Sequence, residues 1–79
     1  MIEKLFPAAA RIVATVMERG KRTHSGDWRD LSANFHLARA RRHLNLLAAG
    51  DVREPHLAHA ACRLLMALEH GFPDEGVAK

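Results

Sequence analysis

Residues able to do chemistry cluster on either side of Gly50. Asp51, Glu54, His56 and His59 follow it within ten positions. Carboxylate and imidazole together suit Mn, Fe or Zn, so these four are a candidate metal set. The spacing His56-x-x-His59 is not the i, i+4 pair of a zincin helix, and neither a His-Glu-x-x-His run nor a His-Asp doublet is present. Upstream, Ala38-Arg39-Ala40-Arg41-Arg42-His43 carries a basic run. Arg39 and Arg42 are three apart and so neighbours on a helix surface, where forked guanidinium donors can clamp phosphate or carboxylate oxygens. A solvated basic face is the plainer reading. The single tryptophan, Trp28, is either an apolar plug at a helix corner or a platform for a base or a partner side chain.

The elements that must position these groups are helical. Pro55 and Gly71 bracket a helix over about 55–70, with proline at its start and glycine beyond its end. At 100° per residue, Leu57, Ala61, Leu64, Leu65 and Leu68 fall within an arc of about 100°, which predicts the core face. His56, His59, Arg63, Met66 and His70 form a second stripe, roughly opposite. In a three-helix monomer that stripe faces water; the sharper reading makes it a ligand or partner surface.

A first helix over about 7–19 starts at Pro7 and stops at Gly20, with Ala9, Ile12, Val13, Val16 and Met17 on one face. A loop over 20–30 follows, with turn chemistry at Ser25-Gly26-Asp27. Asp30 or Ser32 caps a second helix over about 31–49, which Gly50 ends. Its apolar residues lie on two sides, Leu37, Ala40, Leu44 and Leu47 on one and Leu31, Phe35 and Leu46 on the other, so it needs two partners. His36 and His43 are seven apart on one side and can complement the stripe of the third helix. The short link Gly50–Glu54 predicts that the second and third helices are antiparallel. A polar tail over 71–79 closes the chain. The expected fold is an all-α, self-associating three-helix bundle in one domain.

Composition narrows the function. Seventy-nine residues with 48% hydrophobic and 27% charged side chains describe a small globular domain, too apolar for disorder and too interrupted for a membrane span. One cysteine, Cys62, excludes an intrachain disulfide, predicts a packing role for that thiol and points to a cytoplasmic home. The net charge of +3 counts the six histidines as neutral, and each protonation adds to it. That balance favours acidic partners.

The runs FPAAARIVATVMERGKR, GDW, ARRHLNLLAAGD and HLAHAACRLLMALE, taken together, resemble the dATP/dGTP diphosphohydrolase domain of phages and bacteria, a small all-helical nucleotide pyrophosphohydrolase of MazG type. The resemblance covers residues 5–70. It implies a divalent ion, Mg2+ or Mn2+, a purine deoxynucleoside triphosphate, and water attack releasing a monophosphate and pyrophosphate. It matches Arg42-His43, Gly50-Asp51, Trp28, His56 and His59 to the family's pattern, with Arg63 where the pattern has asparagine and a shortened segment before His56.

Two functions follow from this. One is a basic binding module of phage or mobile-element type on a degenerate hydrolase scaffold. It would touch an acidic protein surface or a nucleoprotein complex in the host cytoplasm through Arg39, Arg42, His43, Arg63 and Trp28, with inhibitors of host defence such as anti-CRISPR proteins as one example. The other keeps the enzyme, with His56, His59 and Glu54 as catalytic groups, Asp51, Glu54, His56 and His59 around the metal, and the arginines on phosphate.

Overall fold

The structure, a computed structural model, describes residues 1–23 and 26–71. These residues form α1 (Ile2–Leu5), α2 (Pro7–Thr23), a 3-10 turn (Trp28–Asp30), α3 (Ala33–Ala48) and α4 (His56–Glu69), with no strand among them. None of these helices is long and apolar enough to cross a membrane.

Local sequence explains most of the boundaries. Pro7 opens α2, but the helix continues through Gly20 instead of stopping there. An isolated glycine costs a helix only about 1 kcal/mol relative to alanine and does not force a stop. The loop expected over 20–30 is correspondingly shorter and contains the 3-10 turn, capped by Asp27, whose Oδ1 accepts the Arg29 N–H at 2.9 Å. Its His24 and Ser25 lie outside the described residues, as does the expected tail beyond Gly71. The lead-in before Pro7 holds the short α1. Ser32 caps α3, its Oγ accepting the Phe35 N–H at 3.0 Å.

Gly50 ends α3 at φ 88°, a left-handed conformation that glycine adopts without steric cost. The Gly50 N–H donates to the Leu47 carbonyl and the Asp51 N–H to the Leu46 carbonyl, each at 3.0 Å. This is the Schellman pattern, and it turns the chain sharply toward α4.

Packing overturns the expected core. α3 and α4 pack closely and α2 lies against α4, yet the leucine arc faces out: Leu57 is 64% exposed, Leu68 52% and Leu64 44%. The buried residues are instead Ala40, Ala60, Cys62 and Ala67 together with His36, His43 and His56. The stripe expected to face water therefore turns inward at its first residue. The physical reason is complementarity with α3, whose inward face presents His36, Ala40 and His43. Alanines at 40, 60 and 67 bring the helices close, and the imidazoles bond across the gap, so the branched leucines have no room there.

On α3 the two expected apolar sides are only partly covered. Leu37 and Leu46 are half-buried, whereas Leu31, Phe35, Leu44 and Leu47 are exposed. Cys62 packs under α2, with Sγ 3.8 Å from the Val13 carbonyl, and burial pushes its thiol above the ordinary range. It has the packing role expected of it.

A close alanine seam cannot accept bulk. Ala60→Leu is expected to lower unfolding stability by about 1–3 kcal/mol through overpacking, whereas Leu57→Gln at the exposed arc stays within about 0.5 kcal/mol. Urea denaturation of both variants checks this.

Candidate metal centre and its basic flank

The Schellman turn after α3 delivers Asp51 and Glu54 to the start of α4, opposite the last turns of α3. His43 of α3 and His56 of α4 meet there, Nδ1 to Nδ1 at 2.9 Å. Glu54 Oε1 approaches His43 Nδ1 at 3.8 Å. Ligand atoms drawn one each from His43, Glu54 and His56 lie within 4.8 Å of one another. His59 stacks on the His43 ring at 5.0 Å between centroids.

On the far side of the His56 ring, Nε2 lies 3.2 Å from Asp51 Oδ2. The distance suits a hydrogen bond but the alignment does not, and this buried nitrogen has no hydrogen-bond partner among the described residues. Asp51 is fixed in turn by Arg53, with Nε to Oδ1 and Nη2 to Oδ2 both at 3.0 Å. Those bonds and the Arg53 N–H hold the Asp51 carboxyl far below the ordinary range for an aspartate.

The protons in this chain of contacts can be placed. One imidazole must donate in the Nδ1–Nδ1 contact and the other accept. A lone pair on His56 Nε2 would face the Asp51 carboxylate, so the favourable tautomer puts the proton on Nε2 of His56 and leaves its Nδ1 to accept from His43 Nδ1–H. Burial lowers the pKa of His43, reinforced by the charge of His59, while Glu54 opposes the shift.

Farther along the same seam His36, fully buried, is held at both nitrogens. Its Nε2 lies 2.9 Å from the Trp28 carbonyl and its Nδ1 2.9 Å from Arg63 Nη1. A carbonyl only accepts and a guanidinium only donates, so His36 is neutral with its proton on Nε2. His70 stacks on His36 at 5.7 Å, and Trp28 meets both rings edge-on. Trp28 thus closes the corner between α2 and α3 and borders a shallow pocket with Val13, Met17, Cys62 and Leu65.

Arg63 lies over the Phe35 ring at 5.7 Å and makes no ion pair with a carboxylate among the described residues. Burial lowers its pKa, and the nearby positive charge of Arg39 adds to that. Arg39 has no ion pair among the described residues either. Two guanidinium groups that repel each other without a counter-ion among the described residues leave a positive strip between the His43–Glu54–His56 cluster and the His36–Trp28 cluster.

The sequence-derived candidates therefore divide. Glu54, His56 and His43 converge, with His43 in the ligand cluster and not beside an arginine clamp. Asp51 stands behind His56, and His59 stacks beside the cluster instead of joining it. Arg39 faces Arg63, while Arg42 is exposed and joins neither group. Sequence reasoning missed Arg53, and it set His36 against the stripe of the third helix without giving it a site role. The Asp-x-Arg spacing after Gly50 was the available signal for Arg53.

The family model described as dATP/dGTP diphosphohydrolase, N-terminal, matches residues 1–78. No curated protein matches the chain significantly, and no solved structure does.

Burial and the Arg63 charge push His36 below its ordinary 6.5, against the pull of the Trp28 carbonyl. Between the folded and unfolded pKa values the unfolded chain binds more protons, so stability rises with pH across that window. The midpoint of urea denaturation is accordingly expected to drop between about pH 7.5 and about pH 5, with a shallower drop for His36→Gln.

Proposed function

The chain belongs to the dATP/dGTP diphosphohydrolase N-terminal family, and on that premise we propose that it binds a purine deoxynucleoside triphosphate along the α3–α4 seam and hydrolyses it. Water adds to the α-phosphorus, the bond to the bridging oxygen of the β-phosphate breaks, and monophosphate and pyrophosphate leave. The observation that carries this reading is the order of groups on one seam. The His43–Glu54–His56 cluster comes first, the uncompensated Arg39 and Arg63 next, and Trp28 with His36 and His70 last.

The dimensions agree with a nucleotide. His36 and His43 are seven residues apart on α3, a rise of about 10 Å, which suits phosphates at one end and a base at the other. Arg39 and Arg63 offer forked donors to phosphate oxygens, and Trp28 offers a ring face to a purine. Of the two ions the family resemblance implies, Mg2+ and Mn2+, the two imidazoles and one carboxylate of His43, Glu54 and His56 would suit Mn2+ better. Such an ion, when bound, supplies charge neutralisation and a more acidic water. His59, beside the cluster, takes the role of the imidazole that accepts the water proton. This reading places the protein in the cytoplasm, where deoxynucleoside triphosphates are found.

A second reading, a module acting by contact, is favoured by the exposed Leu57, Leu64 and Leu68. That apolar face suits a second copy of an antiparallel three-helix bundle, whereas Arg39, Arg42 and Arg63 suit an acidic protein partner, and self-association is compatible with either function.

Product analysis after incubation with dATP and dGTP in Mg2+ and in Mn2+ tests the first reading. Pyrophosphate release is expected, with kcat/KM reduced about tenfold or more by Arg63→Ala and left within about twofold by Arg41→Ala on the outer surface of α3. A folded protein with no turnover in either ion contradicts it.

A further inference from the structure

We propose that His43, Glu54 and His56 bind a borderline transition-metal ion of the Zn2+ or Co2+ class, both imidazoles through Nδ1, with Asp51 acting on His56 from the outer sphere. This goes beyond the hydrolase reading and stands whether or not the chain turns over a nucleotide.

The first support is spacing. In a tetrahedral site with bonds of 2.0–2.1 Å, neighbouring ligand atoms sit about 3.3 Å apart. The Nδ1–Nδ1 separation of 2.9 Å and the Nδ1–Oε1 separation of 3.8 Å bracket that value. Small side-chain rotations widen the first and shorten the second, and Glu54, exposed on the link, can supply the second movement.

The second support is the carboxylate that faces the far nitrogen of His56, Nε2, on a ring that is only 1% exposed. Metal-binding histidines usually donate their other ring N–H to a carboxylate, which fixes the tautomer and strengthens the ligand nitrogen. Asp51 Oδ2, 3.2 Å from that nitrogen, is within reach of that role after a small turn of the ring. Arg53 grips both Asp51 oxygens, so this aspartate is committed to a positioning role and is a poor candidate for direct ligation. Ligation through Nδ1 would require His43 to carry its proton on Nε2 in place of Nδ1.

The third support is ligand chemistry. Two imidazoles and one carboxylate match the preferences of Zn2+, Co2+ and Mn2+, whereas Mg2+ demands oxygen ligands and keeps its waters. Three protein ligands leave an open position, the arrangement of catalytic and not structural sites.

Cobalt titration of the full chain, stripped of metal with a chelator, tests the proposal without reference to activity. Visible d–d bands saturating at one Co2+ per chain are expected, displaced by Zn2+ and unaffected by Mg2+ at a hundredfold excess. Glu54→Gln, on an exposed side chain whose loss leaves the helical circular dichroism intact, should alter the band shape and weaken binding. Asp51→Asn should keep the bands but weaken affinity about 10- to 100-fold. Absence of d–d bands in the folded protein, indifference to Glu54→Gln, or complete loss of the bands in folded Asp51→Asn would overturn it. Cobalt binding with no hydrolysis in any ion sinks the hydrolase reading alone; hydrolysis in Mg2+ with no cobalt spectrum sinks this one alone.

Discussion

Buried imidazoles bonded across the α3–α4 seam set the terms for the rest of this small protein. A histidine ring inside a fold needs a partner at each nitrogen or a cost of roughly 1–3 kcal/mol remains. His36 meets that demand with the Trp28 carbonyl and Arg63. His43 and His56 meet half of it with each other. The seam is therefore held in register by directional bonds, and alanines at 40, 60 and 67 let the helices come close enough to make them.

Two consequences follow from a polar seam. The leucines of α4 are turned outward, so the apolar area buried within one chain is small and stability from burial is modest. The positive charge of Arg63 is also drawn to the edge of the interior by a neutral His36, with Arg39 nearby and no carboxylate partner for either among the described residues. An interior of imidazoles with uncompensated arginines beside it lowers the stability available from apolar burial, and the nucleotide and metal proposals both rest on those groups.

Much of this was legible in the sequence, though not the direction in which α4 faces. The all-helical class, the helix stops at Gly50 and Gly71, and the cap at Ser32 follow from local rules that tertiary packing left alone. The seven-residue spacing of His36 and His43 correctly suggested a match with the stripe of α4. The apolar arc of Leu57, Leu64 and Leu68 misled because amphipathic reasoning assumes that the oily face is the buried one. Here small side chains and hydrogen-bonded rings outcompeted it. The partnership of His43 with His56 spans a sharp turn and was hidden from periodicity on either helix alone. The subordinate place of Asp51 depends on Arg53, two residues away, whose grip on it only the folded turn makes plain.

The protonation pattern of the ring nitrogens is what the whole arrangement rests on, and long-range proton–nitrogen NMR spectra of the histidine rings with and without Zn2+ read it directly. The metal-free protein should show His36 and His56 protonated on Nε2 and His43 on Nδ1, and Zn2+ should shift the Nδ1 signals of His43 and His56 while leaving His36 unchanged. Rings that average freely between tautomers and ignore Zn2+ would contradict it.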